Sequence, residues 1–446
     1  MSGPWSGRRL HFVGVGGAGM SGYARAAHAL GAQVSGSDRA ASAFTERLVA
    51  ENVLEVRIGD HDAGNVPEGD GVQVIYSSAV GADNPERVAA RERGLPERPR
   101  AELLGEFTAL KRTIAVAGTH GKTTTASMLV HALRAAGLQP GWLVGAPVGG
   151  GLANAQWGAG EWLVVEADES DRSMLSLHVE IAVLTNVELD HHGTFASLAE
   201  LRDAFRGFLT GPRLAVVWDR PDLLELREGE VVPYDMPEPA LETGGSRFQW
   251  RGNEVRLGVP GAHNALNAMA ALEAARLAGA GSEGAIEGLA GFQGAGRRFQ
   301  RLGETERGAI VYDDYAHHPT EVAATLEAAR TLDHMRLVAV FQPHLYSRTA
   351  LLAREFGAAL ALSDVVVVLE VYPARERGED HPGVSGLLVA ETAADAAEGR
   401  PVYWLPGFAE AEKVLGGLLA EGDICLVMGA GNVDELGRKL VKIDGV

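Results

Sequence analysis

The chain has 446 residues, room for two to four domains at roughly 100–200 residues each. Hydrophobic residues at 46% and charged residues at 22% are a globular composition, which excludes wholesale disorder. Lysine and arginine number 40 against 59 acids, and the resulting net charge of −19 disfavours nucleic acid or an anionic membrane as partner, while leaving room for a local basic pocket around a small anion.

Read from the N-terminus, Arg8-Arg9 precede a stretch broken by glycines, which fits neither a signal peptide nor a membrane span. Nowhere do 18 consecutive apolar residues occur, so a soluble, cytoplasmic protein is expected. Short apolar runs then alternate with Ala/Leu-rich stretches. Strands are expected at Leu10–Val15, Val72–Tyr76, Thr113–Ala117, Trp162–Glu166, Ile181–Thr185, Leu214–Val217, Ile310–Tyr312, Leu337–Phe341, Val365–Leu369 and Ile424–Met428. Helices are expected at Gly19–Leu30, Thr123–Ala136, Ala262–Ala278, Thr320–Thr331 and Thr349–Leu362. This alternation implies an α/β chain of parallel, doubly wound sheets, whose chemistry collects at the C-terminal ends of strands. Boundaries are read at Arg98–Lys111 and Gly291–Glu306, giving three domains over residues 1–109, 110–296 and 297–446. Trp218–Gly261 reads as β-rich connecting structure with turns at Pro233–Pro237 and Gly244-Gly245. The single cysteine, Cys425, lies in an apolar run and reads as an inert core thiol.

Four motifs follow strands. Gly14, Gly16, Gly17 and Gly19, with Ala18 and Met20, would let backbone N–H groups meet a diphosphate at a helix start, and Ser37-Asp38 stands where a ribose-binding acid would. NAD, FAD and a UDP-sugar all fit that physics, and so does a turn needed only for packing. Gly118-Thr119-His120-Gly121-Lys122-Thr123-Thr124 has the register of an ATP-binding phosphate loop, although Val116 replaces its first glycine. Lys122 would reach the β/γ oxygens and Thr123 would hold Mg²⁺. Glu166-Ala167-Asp168-Glu169-Ser170-Asp171 ends an apolar strand, as a second Mg²⁺ contact requires. In Thr185–His192, His191 is either a metal ligand or a structural histidine. The last third carries Arg297-Arg298, Asp313–Pro319 and Gln342–Arg348 at strand ends, suited to carboxylate, γ-phosphate and ribose contacts.

As a set, these motifs resemble the Mur ligase family over essentially the whole chain, and most closely its alanine-adding branch. The resemblance rests on Gly118–Thr125, Glu166–Asp171, Ala262-His263-Asn264 with Asn267, and Asp313–Pro319. It implies a Rossmann-like N-terminal domain for a UDP sugar, a central P-loop ATPase-like parallel sheet, and a Rossmann-like C-terminal domain for the amino acid. It also implies the reaction: ATP phosphorylates the lactyl carboxylate of UDP-N-acetylmuramate, and L-alanine attacks the acyl phosphate. Gly14, Gly16, Gly17, Ala18, Gly19, Met20, Ser37, Asp38, Ser77 and Ser78 would then hold the UDP sugar. Gly118 to Thr124 would bind ATP, His263, Asn264 and Asn267 its adenine, and Asp314 its ribose. Lys122 and Arg297 or Arg298 would steady the γ-phosphate; Thr123, Glu166 and His191 would hold Mg²⁺ or Mn²⁺. Tyr315, His317, His344 and Arg348 would contact the carboxylate and the incoming alanine. The substrates are small molecules, and a monomer or weak homodimer is expected.

Between Lys111 and Lys413 the only lysine is Lys122, so no residue is available for the carbamylated lysine of several sister ligases. Two departures affect the substrate side: Leu345 stands where the family usually has arginine, and Gly193 where it tends to have an acid. Three rivals remain open at this point. A ligase that recycles intact tripeptide onto the same sugar shares most motifs, but tends to carry tyrosine near Ser170. An NAD-dependent oxidoreductase leaves the phosphate loop unexplained, and a binding-only ATPase-like regulator leaves the substrate-side arginines and histidines without a role.

Overall fold

Runs such as Thr113–Ala117 and Ile424–Met428 leave no residue for solvent, as a parallel strand covered by helices on both faces requires. In a computed structural model, which describes residues 3–191 and 193–442, every residue of these two runs is buried in the middle of a sheet. His192, the last residue of the Thr185–His192 motif, lies outside the described residues.

The first sheet comprises β1 Arg9–Val13, β2 Gln33–Asp38, β3 Val56–Ile58, β4 Val72–Tyr76 and β5 Glu97–Pro99. All pair in parallel, in the order β3-β2-β1-β4-β5. The second comprises β6 Arg112–Ala117, β7 Gly141–Leu143, β8 Ala155–Gln156, β9 Trp162–Glu166, β10 Ile181–Leu184, β11 Leu214–Trp218 and β12 Val231–Tyr234. Its order is β12-β11-β10-β6-β9-β7-β8, parallel except for β7 against β8. A small antiparallel sheet follows, of β13 Ala240–Glu242, β14 Gly245–Trp250 and β15 Asn253–Leu257. The last sheet comprises β16 Gln300–Glu304, β17 Ile310–Asp314, β18 Arg336–Phe341, β19 Val365–Val368, β20 Val402–Trp404 and β21 Asp423–Met428. Its order is β16-β17-β21-β18-β19-β20, with only β16 antiparallel. The expected α/β class and parallel sheets are therefore present.

Pro233 and Tyr234, read as part of a turn, lie in β12. Proline cannot donate to a ladder, but β12 is an edge strand, where that loss is tolerated. The Arg98–Lys111 stretch, read as a boundary, ends β5 and forms the helix Arg100–Ala109, whose Leu103, Leu104 and Phe107 are buried. The chain divides into two compact units: residues up to Met236 together with Asn267–Leu289, and Pro237–Leu266 together with the residues from Ala290 onward. In the first unit, one continuous apolar core joins the first and second sheets. In the last sheet, alternate residues of β18 face two cores, with Leu337, Ala339 and Phe341 in one and Val338 and Val340 in the other. Cys425 belongs to the latter, and burial pushes its thiol up to about 12, consistent with an inert role.

One buried acid ties the first sheet to the helix Pro85–Glu92. The Glu86 carboxylate is fully buried; it accepts from Ser37 Oγ at 2.7 Å and Asn65 Nδ2 at 3.0 Å, and lies 2.8 Å from His11 Nε2 and 2.7 Å from His61 Nδ1. Burial alone would raise its pKa, but hydrogen bonds from His11, Asn65, His61 and Ser37 outweigh it and hold the group at about 2. A depressed carboxyl contributes stability above its unfolded value and loses it as pH falls toward the folded one. Glu86→Gln is therefore expected to be less stable than the parent at pH 7, on the order of 3 kcal/mol from the shift. The gap should close between about pH 4.5 and pH 2. Urea midpoints of both proteins across that window check it; a gap independent of pH would assign the residue a packing role only.

Candidate active site

The phosphate loop leaves β6 and enters the helix Lys122–Ala135 through Gly121, whose φ is +80°. Gly118 has φ +132°, and a Cβ there would stand 2.1 Å from Thr185 Oγ1; a Cβ on Gly121 would stand 2.6 Å from Asn267 Oδ1. Only glycine fits these positions. The loop is latched to the segment after β10. Thr119 N donates to Asn186 O at 3.1 Å and His120 N to Asn186 Oδ1 at 2.9 Å, while Thr185 Oγ1 and Asn186 Nδ2 donate to His120 O. Thr119 Oγ1 donates to Glu188 O and accepts from Glu188 N, both at 2.9 Å. Thr185, Asn186 and Glu188 were legible as a motif but had no assigned task; they shape the loop. No side chain caps the helix, which leaves the N–H groups of its first turn suited to an anion. Thr123 and Thr124 occupy its first turn and are buried.

Lys122 Nζ donates to Gly118 O at 2.6 Å and Thr119 O at 3.1 Å, and lies 2.9 Å from both oxygens of Glu169. Burial would lower its pKa, but the charges of Glu169, Asp168 and Glu166 raise it above the ordinary lysine value. Lys122 is a cation throughout neutral pH.

The acid segment after β9 divides its work. Glu166 accepts from Gly145 N at 2.9 Å. Asp168 and Asp171 both bind the Arg100 guanidinium, at 3.1 and 2.8 Å. Burial alone would raise Asp168, but Lys122 and Arg100 hold it at about 2. Glu169 is fully buried, and its Oε1 lies 3.3 Å from His191 Nε2. His191 itself has φ +54°, an uncommon conformation for a non-glycine residue, held by its N–H on Asp190 Oδ1 at 2.7 Å.

In the first sheet, the glycine loop follows β1. Gly14 N and Val15 N donate to Ser37 O, and Gly16 N donates to Asp38 Oδ2 at 2.7 Å. Asp38 thus shapes the loop, whereas the Ser37 side chain is buried and spent on Glu86. Gly17 precedes the helix Ala18–Ala29 without a side-chain cap, Gly19 lies beside the Arg100 guanidinium, and Met20 is in the core. Asn154 Nδ2 donates to Ala18 O at 2.6 Å, joining this helix to the second sheet's connections. Ser77 and Ser78 follow β4, and Ser77 Oγ lies near Gly14.

In the second unit, Arg297 is committed to structure. Its guanidinium binds Asp313 Oδ2 at 3.1 Å, Gly431 O at 2.9 Å and Gly429 O at 2.8 Å. The Arg298 guanidinium lies 5.0 Å from the centre of the Tyr315 ring. Asp314 accepts from Phe299 N and Ala316 N, both at 2.7 Å, and burial raises its pKa to about 6. Tyr315, His317, His344 and Tyr372 form a run of ring contacts with centres 5.3 to 6.0 Å apart. Tyr372 was not among the expected residues; its signal was its place just after the apolar β19. Buried Arg348 has Nη1 3.2 Å from His344 Nδ1. Leu345 is buried at φ +70°, and its carbonyl accepts from Thr349, so it starts the helix Tyr346–Leu360 and offers no charge. His263 and Asn264 lie in the first turn of the helix Ala262–Leu277; burial lowers His263 to about 4, and Asn264 Nδ2 donates to Pro260 O at 2.7 Å. Around Gly193 a Cβ would meet nothing within 4 Å among the described residues.

Comparison with known proteins agrees with this arrangement. The family descriptions "Mur ligase family, catalytic domain", "Mur ligase middle domain" and "Mur ligase, glutamate ligase domain" match residues 9–112, 116–275 and 297–431. The UDP-N-acetylmuramate–L-alanine ligase of Mycolicibacterium smegmatis is 43% identical over 470 residues, covering 97% of this chain and 94% of its own. That of Rubrobacter xylanophilus is 43% identical over 450 residues, covering 97% and 99%. The crystal structure of the UDP-N-acetylmuramate–alanine ligase of Thermotoga maritima superposes with a TM-score of 0.83 at 29% identity, covering 97% of this chain and 98% of its own. A murein peptide ligase of Psychrobacter arcticus shares the fold, with a TM-score of 0.72 at 23% identity and coverage of 99% and 100%. With these matches along most of its length, the chain belongs to the Mur ligase family.

Proposed function

We infer that the chain joins L-alanine to the lactyl carboxylate of UDP-N-acetylmuramate, using ATP and releasing ADP and phosphate. The observation that carries this reading is the loop Gly118–Lys122, with Lys122 at the start of an uncapped helix and an acid-ended strand beside it, in a chain 43% identical to alanine ligases. Division of labour over residues 1–109, 110–296 and 297–446 goes with it.

A carboxylate does not accept an amine until one oxygen becomes a good leaving group, and phosphorylation supplies that. The protein's task is then positioning and charge stabilisation. The N–H groups at the start of Lys122–Ala135 and the Lys122 ammonium bind the terminal phosphates and hold the γ-phosphoryl in line with the carboxylate. Arg298, whose neighbour Arg297 is already spent on Asp313 and two carbonyls, is the arginine we assign to the γ-phosphate. His263, Asn264 and Asn267 receive adenine, and Asp314 orients the ribose through the backbone it fixes. The glycine loop after β1 holds the diphosphate of the UDP sugar, with Asp38 setting the loop and Ser77 and Ser78 beside it. Tyr315, His317, His344 and Arg348 orient the carboxylate and the alanine; with Leu345 apolar, Arg348 carries the anionic contact alone on that turn.

The Thr123 hydroxyl, the Glu166 carboxylate and the His191 imidazole would hold Mg²⁺ or Mn²⁺. The oxygen donors among them suit a hard cation, and the buried Glu169 beside His191 adds the negative charge such an ion prefers. When bound, the ion offsets the charge of the triphosphate. Among the described residues, no helix is long and apolar enough to cross a membrane.

ADP release with ATP, Mg²⁺ and UDP-N-acetylmuramate tests the reading by comparing no acceptor, L-alanine, and the L-Ala-D-Glu-diamino-acid tripeptide. Alanine-dependent release is expected. Release only with the tripeptide would move the protein to recycling, and release with neither would overturn the ligase reading.

A further inference from the structure

One carboxylate in the acid segment pairs directly with the lysine of the phosphate loop. Glu169 is fully buried, both its oxygens lie 2.9 Å from Lys122 Nζ, and one lies 3.3 Å from His191 Nε2. Its neighbours in the segment meet other groups: Asp168 and Asp171 bind Arg100, and Glu166 accepts from Gly145 N through one oxygen. The Lys122–Glu169 pair is neutral as a unit and satisfied by the Gly118 and Thr119 carbonyls.

A triphosphate on the loop changes that balance. Lys122 carries one positive charge and then faces two anions, the phosphate and Glu169. Left without a counter-charge, a buried carboxylate is strongly destabilising, and beside a phosphate it is also repelled. A divalent cation arriving with the nucleotide removes both penalties, because it brings two positive charges to the side of Glu169 that His191 already marks. We propose that Glu169 is a positioning residue that makes nucleotide binding depend on the divalent cation: it holds Lys122, opposes a bare triphosphate, and is compensated when the cation enters. This rests on the reading of Gly118–Thr124 as the ATP loop.

The test is binding of a non-hydrolysable ATP analogue to the full-length protein by calorimetry, once in EDTA and once in Mg²⁺. The parent is expected to bind more tightly with Mg²⁺; no binding in either condition would sink the ATP reading itself, separately from the role of Glu169. Glu169→Gln keeps the shape and a hydrogen-bond acceptor but removes the charge. Its affinity in EDTA is expected to rise about tenfold, and the ratio of the two affinities to shrink by at least about that factor, a change of about 1.4 kcal/mol. Glu169→Asp keeps the charge and should keep the ratio within a few-fold. A ratio unchanged in Glu169→Gln, or one that collapses equally in Glu169→Asp, overturns the proposal. Should Glu169→Gln not fold, Lys122→Met is compared with Lys122→Met/Glu169→Gln, whose buried site is again neutral. The double variant should bind the bare analogue more tightly than the single one, and equal binding would also overturn the proposal.

Discussion

Lys122→Ala is expected to lower alanine-dependent ADP release about 10²-fold or more, the usual loss when one transition-state donor is removed. The structure adds a second effect that the motif alone does not contain. Without Lys122 the Glu169 carboxylate is buried without the ammonium that neutralises it, so the variant should also lose about 3–5 kcal/mol of stability. Lys122→Ala/Glu169→Gln should regain most of that stability and none of the turnover. Urea midpoints and steady-state rates of the three proteins check the two effects independently. Turnover within a few-fold of the parent would remove Lys122 from the chemistry, and an undiminished midpoint in the single variant would mean that its charge is not needed by Glu169.

Phe107→Ala is expected to be the costliest substitution in the core of the first unit. The ring is fully buried, stacks on Trp5 at 4.8 Å, and meets Tyr23 and Trp157 at 5.9 and 6.0 Å. It belongs to the core cluster that residues of the first and second sheets share. Truncation should cost about 3–5 kcal/mol, read from the urea midpoint followed by tryptophan fluorescence, to which Trp5 and Trp157 contribute. A loss under about 1 kcal/mol would show that the two sheets do not share a cooperative core.

Most strands lining the site were legible because they are buried on both faces. An unbroken apolar run between turn signals has few other readings, so β6, β9, β10, β18 and β21 were all expected close to their observed bounds. β2 escaped because Gln33–Asp38 is polar and half-exposed for most of its length, and β5 because three residues carry no period. The helix Tyr346–Leu360 begins three residues before the expected Thr349, since its start depends on Leu345 at positive φ and not on a capping side chain.

For the site, the sequence singles out candidate residues and motifs but not how they pair. Gly-Lys-Thr after a strand identifies the loop from chemistry alone. Nothing in Glu166–Asp171 says that Asp168 and Asp171 turn to Arg100, some seventy residues upstream, while Glu169 turns to Lys122. Arg297 and Arg298 are likewise indistinguishable as letters; the positive φ at Arg297 and the carbonyls of Gly429 and Gly431 separate them. Ser37 looked like a ligand contact beside Asp38, and its hydroxyl belongs to Glu86. Long-range pairing of polar groups is decided by the fold and leaves no mark in the local sequence.

Activation of the lactyl carboxylate as an acyl phosphate leaves its mark in where the carboxylate oxygens end up, and isotope transfer reads that out. UDP-N-acetylmuramate carrying ¹⁸O in both oxygens of that carboxylate is incubated with the protein, ATP, Mg²⁺ and L-alanine. The carboxylate oxygen that attacks the γ-phosphorus leaves with it when the amine displaces phosphate. The released phosphate should therefore contain one ¹⁸O, and the new amide should keep the other. Labelled AMP with unlabelled pyrophosphate, or unlabelled phosphate alongside the peptide product, would rule out activation as an acyl phosphate.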